Sequence, residues 1–427
     1  MSILTDTLRG KPIAILGNGV TGKGVAKLLD SLNSNYRIFD QKGNSFEKAN
    51  PHSFSLVVYS PGFTNSHPWL NLARSAGIPI LSELDFASQF TSSPIVAVTG
   101  TNGKSSMVTL LCHLWKKVGR KSIAAGNIGV SLSEVIAEGL DDDSTIFLEV
   151  SSFQSGTMRK LNPEFSFWVN FAEDHLDVHD SKEDYFVAKK NLLTRTRKKI
   201  WVGSSVLEAA LDFRIELPGD VKVVSPLKVV DSPYDSKHFL SSYPQLENLA
   251  LVIEFAKLHG FDRTEVLEAF RDYSSLDHRL QEVLTVDHAT YWNDSKATNF
   301  LSVLAACKTL DGNIIWIGGG KSKGLDLQDF SNHISKYVDQ AFLFGEVAEE
   351  LSVALKRKGL RHSICSTITE AVKKSHESTN LPANVLFSPG FASFDTHSNY
   401  ASRGKSFFES VFDLKNAPRR STEESLT

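Results

Sequence analysis

Gly100-Thr101-Asn102-Gly103-Lys104-Ser105-Ser106 follows the apolar run Pro94–Thr99 and opens a helix-like stretch, Ser105–Val118. Backbone N–H groups of such a loop can cradle phosphates. Its lysine can reach the β and γ oxygens, and its serine hydroxyl can ligand Mg²⁺. Only two residues separate the glycines, where the common phosphate loop has four. The bland alternative is a glycine-rich turn with a chance lysine, and the strand-before, helix-after context speaks against it. Glu149 ends the apolar run Thr145–Val150 and precedes Ser151-Ser152-Phe153-Gln154. A carboxylate at a strand's C-terminal end, in one domain with a phosphate loop, is well placed for a metal ion or water. Taken alone it reads as an ordinary strand-end charge. Asp174-His175-Leu176-Asp177 sets one histidine beside two carboxylates, a set that could bind Mg²⁺ or orient phosphate. His179 is read as loop polarity and is assigned nothing. Lys189-Lys190 would ordinarily be a solvated pair. Lys189, however, shares a helical face with Tyr185 and lies near Leu192-Leu193. Apolar surroundings push a lysine towards its neutral form, and a neutral amine can react with carbon dioxide to give a carbamate, an anionic metal ligand.

Four further segments carry candidate contacts. Gly17-Asn18-Gly19-Val20-Thr21-Gly22, with Asp40 closing the next strand, matches a dinucleotide fingerprint. The same spacing serves NAD(P), any nucleotide diphosphate, or a tight strand–helix turn that binds nothing. Asn293-Asp294-Ser295-Lys296-Ala297-Thr298-Asn299 and Gly318-Gly319-Gly320-Lys321 look like anion or nucleotide contacts at strand ends; a capped loop and a turn explain them equally well. Ser388–Asp395 leading to Tyr400-Ala401-Ser402-Arg403-Gly404 mixes hydroxyls, an aromatic ring and an arginine, enough for a carboxylate pocket, or a plain strand–turn–helix.

These segments need elements to hold them. Apolar runs at Pro12–Leu16, Tyr36–Phe39 and Leu56–Tyr59, with a helix-like Lys23–Asp30, predict a parallel α/β sheet. Pro94–Thr99, Thr145–Val150 and Phe165–Phe171 predict buried strands, and Ser181–Thr194 and Leu246–His259 predict helices. A third region from His278-Arg279 carries strands at Asn313–Ile317, Gln340–Phe344 and Asn384–Phe387. The polar stretch Thr91–Ser93 marks one domain boundary. The 427 residues fit two to four domains.

Net charge of −3 gives no bulk electrostatic case for nucleic acid or a membrane surface. Three cysteines, far apart in sequence, form no disulfide framework or zinc spacing and suit a reducing compartment. The N-terminus shows no signal peptide and no transmembrane span, so a cytoplasmic chain is expected. The polar tail after Asn416 is expected to fray.

In this order the segments resemble the Mur ligase family of peptidoglycan synthesis, over nearly the whole chain. The resemblance is carried by GNGVTG with Asp40, SPG at Ser60–Gly62, GTNGKS, GNIG at Gly126–Gly129, EVSSFQ, EDHLD, Lys189, His278-Arg279, NDSKATN, GGGK and SPGFASFD with NYASRG. Several of these are shared with folylpolyglutamate synthase. NDSKATN and SPGFASFD point to the branch that joins D-glutamate to UDP-N-acetylmuramoyl-L-alanine. The resemblance implies an α/β fold of three domains: an N-terminal Rossmann-like domain for UDP (1–91), a central P-loop-type ATPase with a mainly parallel sheet (92–275), and a C-terminal Rossmann-like domain (276–427) that closes over them. It implies an ATP-dependent amide ligase using Mg²⁺, or Mn²⁺ in its place, working on small molecules through an acyl phosphate in peptidoglycan precursor synthesis. A monomer is expected.

Residue by residue, the resemblance implies that Gly19, Val20, Thr21, Asp40, Gln41, Lys42, Ser60 and Gly62 face the UDP substrate, with Asn127 and Ser151 near it and the metals. Gly100, Thr101, Asn102, Gly103, Lys104, Ser105 and Ser106 would hold ATP phosphates, and Arg279, Asp294 and Lys296 would contact ATP. Ser105, Glu149, His175 and a carbamylated Lys189 would be metal ligands, with Lys104 among the catalytic groups. Thr298, Lys321, Ser393, Phe394 and Tyr400 would hold D-glutamate or the nucleotide substrate. The family has a His-Asn pair, with another Asn three residues on, before the helix closing the central domain. Here the stretch reads Ser242-Tyr243-Pro244-Gln245-Leu246-Glu247-Asn248, and no adenine contact is carried over. Ser322-Lys323 is also longer before Asp326 than the family pattern. Three rival readings stand. One is another Mur-type or folylpolyglutamate-type ligase. Another is a NAD(P) oxidoreductase, which leaves GTNGKS and EDHLD unexplained. The last is a catalytically silent UDP-binding protein, which the Tyr243–Glu247 departure would suit.

Overall fold

Short apolar runs buried on both faces build this chain. In parallel sheets flanked by helices such runs need no polar alternation. The structure is a computed structural model that describes residues 8–416 apart from 9, 142, 177, 228–233, 235–237, 242–244, 275, 323, 325 and 380. Asp177, Ser242–Pro244, Lys323 and the tail after Asn416 therefore lie outside the described residues. The chain divides into two units: one of Met1–Glu173 with His179–Tyr273, the other of Asp174–Val178 with Ser274–Thr427. Among the described residues, no helix is long and apolar enough to cross a membrane.

The first unit holds two parallel sheets. Strands β1 (Ile13–Leu16), β2 (Tyr36–Phe39), β3 (Leu56–Tyr59) and β4 (Ile80–Ser82) pair in the order β2-β1-β3-β4. The inner β1 and β3 are buried throughout, whereas the edge strand β2 is only half covered. The helix after β1 runs Val20–Ser31, three residues earlier than its apolar pattern predicts, because Val20 and Thr21 form its first turn. The helix lies tight on β1 only because position 22 is glycine: a Cβ there would sit 1.8 Å from Gly17 O. Strands β5 (Ile95–Thr99), β6 (Ser122–Gly126), β7 (Thr145–Glu149), β8 (Phe165–Trp168), β9 (Lys199–Gly203) and β10 (Val221–Val224) form the second sheet, ordered β10-β9-β8-β5-β7-β6. Chain order reverses beside β5, so the loop after β5 opens at a topological switch point, the place where open α/β sheets bind ligands.

The expected strand Phe165–Phe171 ends at Trp168. The chain turns away there to make other bonds. Trp168 Nε1 donates to Asn170 O at 3.1 Å, and that same carbonyl accepts from Thr101 N at 3.0 Å. The two sheets share a core within the unit. Ile13, Val25 and Leu28 pack in one cluster with Ala97, Leu132, Ile146 and Leu148. Two buried carboxylates reinforce it. Glu83 accepts from Ser133 N and Oγ at 2.7 and 2.8 Å, and Asp85 accepts the backbone N–H groups of Arg159, Lys160 and Leu161 at 2.7–2.9 Å. The second sheet's other face carries the helix Lys104–Lys117, whose Met107, Leu110 and Leu114 pack with Val98 and with Phe255 of the helix Gln245–Leu258.

The second unit holds one mixed sheet. Strands β11 (Gln281–Val286), β12 (Ala289–Asn293), β13 (Asn313–Gly319), β14 (Gln340–Phe344), β15 (Arg361–Ile364) and β16 (Ala383–Gly390) lie in the order β11-β12-β16-β13-β14-β15. Among the described strand pairs of this sheet only β11–β12 is antiparallel, and it carries a register shift between Glu282 and Leu284. The apolar runs read from the sequence do not include β4, β6, β9, β10, β11, β12 or β15. β4, β6, β10, β11 and β15 are part-exposed sheet edges, whereas β9 and β12 are interior strands that the reading also misses. The predicted β13 and β16 extend to Gly319 and Gly390, so the glycines continue the strands.

Candidate active site

The loop after β5 lies between the C-terminal ends of β7 and β8 and is held from both sides. On the β8 side, Asn102 N donates to Asn170 Oδ1 at 2.9 Å, and the Thr101 hydroxyl exchanges bonds with Ala172 O and N at 3.1 and 3.0 Å. Gly103, at φ +78°, caps the helix Lys104–Lys117 without a side-chain cap. The N–H groups of that first turn thus lack a capping side chain, the arrangement that favours an anion. Lys104 Nζ donates to Gly100 O and Thr101 O at 3.0 and 2.9 Å. Lys189 Nζ donates to the same Gly100 O at 2.8 Å and stands 4.6 Å from the Tyr185 ring centroid. Lys189 is 1% exposed, as its shared face with Tyr185 predicts, while Lys190 is half-buried.

On the β7 side Glu149 is 1% exposed. Its Oε1 accepts from Asn127 Nδ2 at 3.1 Å, and its Oε2 is buried with no hydrogen-bond partner among the described residues. The turn after β6 brings Asn127 in. Asn127 N donates to Glu149 O at 3.0 Å, and Gly126 sits at φ +96°, where a Cβ would meet that same carbonyl at 2.2 Å. Ser151 caps the helix Ser152–Thr157 in a reciprocal box with Gln154. Ser105 and Ser106 are buried, and the Ser106 hydroxyl has no hydrogen-bond partner. Among the described residues, no group of three or more His, Cys, Asp or Glu side chains stands ready for a metal ion. An orphaned carboxylate oxygen beside a phosphate loop nonetheless fits a cation, since an ionised oxygen buried without a donor or a cation is costly.

Asn248 belongs to this site and is missed by sequence reasoning. It is fully buried, its amide lies 3.2 Å from where a Cβ on Gly103 would sit, and its Oδ1 has no hydrogen-bond partner among the described residues. The available signal is the asparagine three residues after Gln245. Asn170, which holds the loop open, has no sequence signal beyond following a strand.

The N-terminal sheet presents its own turn. Asn18 N and Lys42 N donate to the two oxygens of Asp40 at 3.1 and 3.0 Å, and these N–H groups, Lys42's first, hold the Asp40 carboxyl below the usual range. Gly19 caps its helix without a side-chain cap, and the first helical turn, with Val20 and Thr21, carries no acidic residue. The Ser60 hydroxyl is buried without a partner, 2.7 Å from where a Cβ on Gly17 would be. Gln41 pairs with His67 at 2.9 Å; Lys42 is exposed, and Gly62 has open space at its Cβ position. A polar donor and helix N–H groups thus converge on the glycine turn.

In the second unit, three loops leave the C-terminal ends of the adjacent strands β12, β16 and β13. Asp294 accepts from Leu280 N at 3.1 Å and from the Ser388 hydroxyl at 2.7 Å, and burial pushes its carboxyl up to about 7. Lys296 Nζ stands 3.9 Å from the centroid of the Tyr400 ring. Lys321 exchanges backbone bonds with Ala392 at 2.9 and 3.2 Å, bringing it beside Ser393. Ser393 is buried, Phe394 is 70% exposed, and Thr298 and Arg279 are partly covered. His175, at φ +57°, lies in the short segment grouped with this unit, where Asp174 accepts from Asn299 Nδ2 at 3.0 Å. Asp326 caps the helix Leu327–Ile334. Arg403 stands out in the sequence only as part of a pocket, yet it is fully buried and ties the loops together. It donates to Ser295 Oγ at 3.2 Å, Ser295 O at 2.9 Å and Phe391 O at 2.9 Å. Burial lowers its guanidinium to about 10, still charged at neutral pH.

Two family models match this chain: the Mur ligase middle domain over residues 98–214, and the Mur ligase glutamate ligase domain over residues 278–390. A UDP-N-acetylmuramoylalanine–D-glutamate ligase of Thermoanaerobacter sp. (strain X514) is 27% identical over 460 residues, covering 96% of this chain and 99% of that protein. A protein of the same name from Streptococcus pneumoniae (strain P1031) is 28% identical over 450 residues, with 96% and 99% covered. Among solved structures, the MurF ligase of Thermotoga maritima in complex with ADP shares the fold, with a TM-score of 0.59 at 14% identity over 96% of this chain and 97% of that one. With a family domain in each unit, and relatives that match nearly end to end, the chain belongs to the Mur ligase family of ATP-dependent ligases.

Proposed function

We propose that this ligase joins D-glutamate to UDP-N-acetylmuramoyl-L-alanine through an acyl phosphate, in peptidoglycan precursor synthesis. The observation that supports it most directly is the phosphate loop with a buried, half-orphaned carboxylate, Glu149, at its side. A carboxylate that is to be phosphorylated by ATP needs such a place, where cations neutralise one anion approaching another. The names of the end-to-end relatives support the choice of substrates.

In this reading residues 1–91 take the UDP moiety, 92–275 take ATP and 276–427 take the amino acid. Gly19, Val20, Thr21, Asp40, Gln41, Lys42, Ser60 and Gly62 bind the UDP substrate. The N–H groups of Gly100–Ser106 cradle ATP phosphates, and Lys104 exchanges its carbonyl partners for β and γ oxygens. Ser105, Glu149, His175 and Lys189 would hold Mg²⁺, which supplies charge neutralisation at the transferring phosphoryl group. Two cationic lysines converging on one buried carbonyl repel each other, which favours loss of a proton from Lys189. The neutral amine would then add carbon dioxide and release a second proton, leaving an anionic carbamate ligand. Asn127 keeps Glu149 oriented through its Oε1, and Ser151 frames the same turn. Arg279, Asp294 and Lys296 contact ATP. Thr298, Lys321, Ser393, Phe394 and Tyr400 hold D-glutamate so that its amine meets the acyl carbon. The amine attacks, phosphate leaves and an amide remains; water must be excluded because it would hydrolyse the acyl phosphate.

Lys104→Ala tests the division of labour. ADP release is expected to fall at least about a hundredfold, while calorimetric binding of UDP-N-acetylmuramoyl-L-alanine stays near wild type. Equal loss of both in a folded variant would argue against separate nucleotide and UDP sites.

A further inference from the structure

His179 reads as loop polarity in the sequence, and its surroundings say otherwise. Its ring bridges two elements of the first unit. Nε2 is 3.0 Å from Ser152 Oγ, and Nδ1 is 3.2 Å from Asp184 Oδ2. A carboxylate at Asp184 accepts from Nδ1–H, and in the neutral ring this leaves Nε2 to accept from the Ser152 hydroxyl. The ring stacks on Phe153, with centroids 5.6 Å apart at 17°, and meets Tyr185 at 5.1 Å. The histidine side chain is 9% exposed. Ser, His and Asp in this sequence of contacts have the connectivity that activates a nucleophile. Ser152, however, is 2% exposed in the first turn of its helix, so its hydroxyl is not presented to a substrate as a nucleophile must be.

What the bridge joins is informative. Ser152 follows Glu149 by three residues, at the turn that closes β7. Asp184 and Tyr185 lie on the helix Lys182–Leu193, which carries Lys189 one turn further on. The two helices are also tied by Ser155 Oγ, which donates to Lys189 O at 3.3 Å. His179 is moreover the residue at which the chain rejoins the first unit after the segment Asp174–Val178.

We propose that His179 is a positioning residue for the cation site. Through Ser152 and Asp184 it holds the Glu149 turn and the Lys189 helix at a fixed separation. The proposal rests on the ligase reading above, in which Glu149 and Lys189 are ligands. Metal ligands oriented by such outer contacts lose about 10–100-fold in affinity or activity when the contacts are removed.

The test compares wild type with His179→Ala, His179→Gln and Ser152→Ala. Mn²⁺ binding in the presence of ADP is followed by electron paramagnetic resonance, with hydrogen exchange of residues 150–156 and 182–190 in metal-free protein. His179→Ala is expected to weaken Mn²⁺ about tenfold and to speed exchange in both segments. Ser152→Ala should weaken Mn²⁺ in the same direction, and His179→Gln, which retains a polar group, should recover part of the loss. The KM for the UDP substrate is expected to stay constant while the Mg²⁺ needed for half-maximal ADP release rises. Unchanged Mn²⁺ affinity in folded His179→Ala overturns the proposal, as does a Ser152→Ala variant that binds Mn²⁺ like wild type. If His179→Ala does not fold, His179→Gln with wild-type Mn²⁺ affinity and exchange overturns it. Wild-type protein that binds no Mn²⁺ with ADP would instead contradict the ligase reading itself, before any variant is compared.

Discussion

Lys104 and Lys189 reach the same carbonyl, Gly100 O, at 3.0 and 2.8 Å, from helices that start at Lys104 and Lys182. In the carbamate reading, Lys189 carries a negative group in the working enzyme, and no ordinary side chain replaces it. Lys189→Ala is expected to lose about two or more orders of magnitude in ADP release, with partial recovery when a short-chain carboxylate is added. Turnover at the wild-type rate would refute the assignment. The burial of Lys189 was legible in the sequence from the face it shares with Tyr185, and so was the place of Glu149 at a strand end, although that position taken alone reads as an ordinary strand-end charge. Asn248 was not legible. It acts against Gly103 across a long stretch of chain, and its local sequence departs from the family pattern. His179 and Arg403 were undervalued for a related reason: their partners, Ser152 and Ser295, are distant in sequence and carry no signal of being acceptors or donors.

Strands β1, β3, β5 and β7 were readable because continuous apolar runs are buried on both faces. The edge strands β10, β11 and β15 were not, since half-exposed residues blur the period, and the interior strands β9 and β12 were missed as well. The ties between elements were invisible as well. Asp85 is 1% exposed and accepts three consecutive backbone N–H groups beyond the helix Ser152–Thr157, fixing the first sheet against the second within one unit. Asp85→Ala would leave those donors without their acceptor. Denaturant unfolding is expected to show a loss of about 2–4 kcal/mol. A change within about 0.5 kcal/mol, the scale of a neutral surface substitution, would mean that the three bonds contribute nothing net.

Across the whole molecule, three sheets follow one rule. Glycine turns or polar loops leave the C-terminal ends of β1, β5, β12, β13 and β16, and the residues proposed for UDP, ATP and amino acid sit on them. The order of these loops along the chain was legible, and it carried the family resemblance. The buried connections that hold each loop in place were not, because they depend on tertiary contacts. The central claim, a ligase for D-glutamate and a UDP-linked acceptor, is tested most directly by ADP release from ATP and Mg²⁺ with UDP-N-acetylmuramoyl-L-alanine. D-glutamate, L-glutamate, L-lysine, meso-diaminopimelate and L-alanine are added in turn. The predicted result is release that requires both the UDP substrate and D-glutamate. Release that requires a different amino acid, or none from folded protein that still binds the UDP compound, would contradict it.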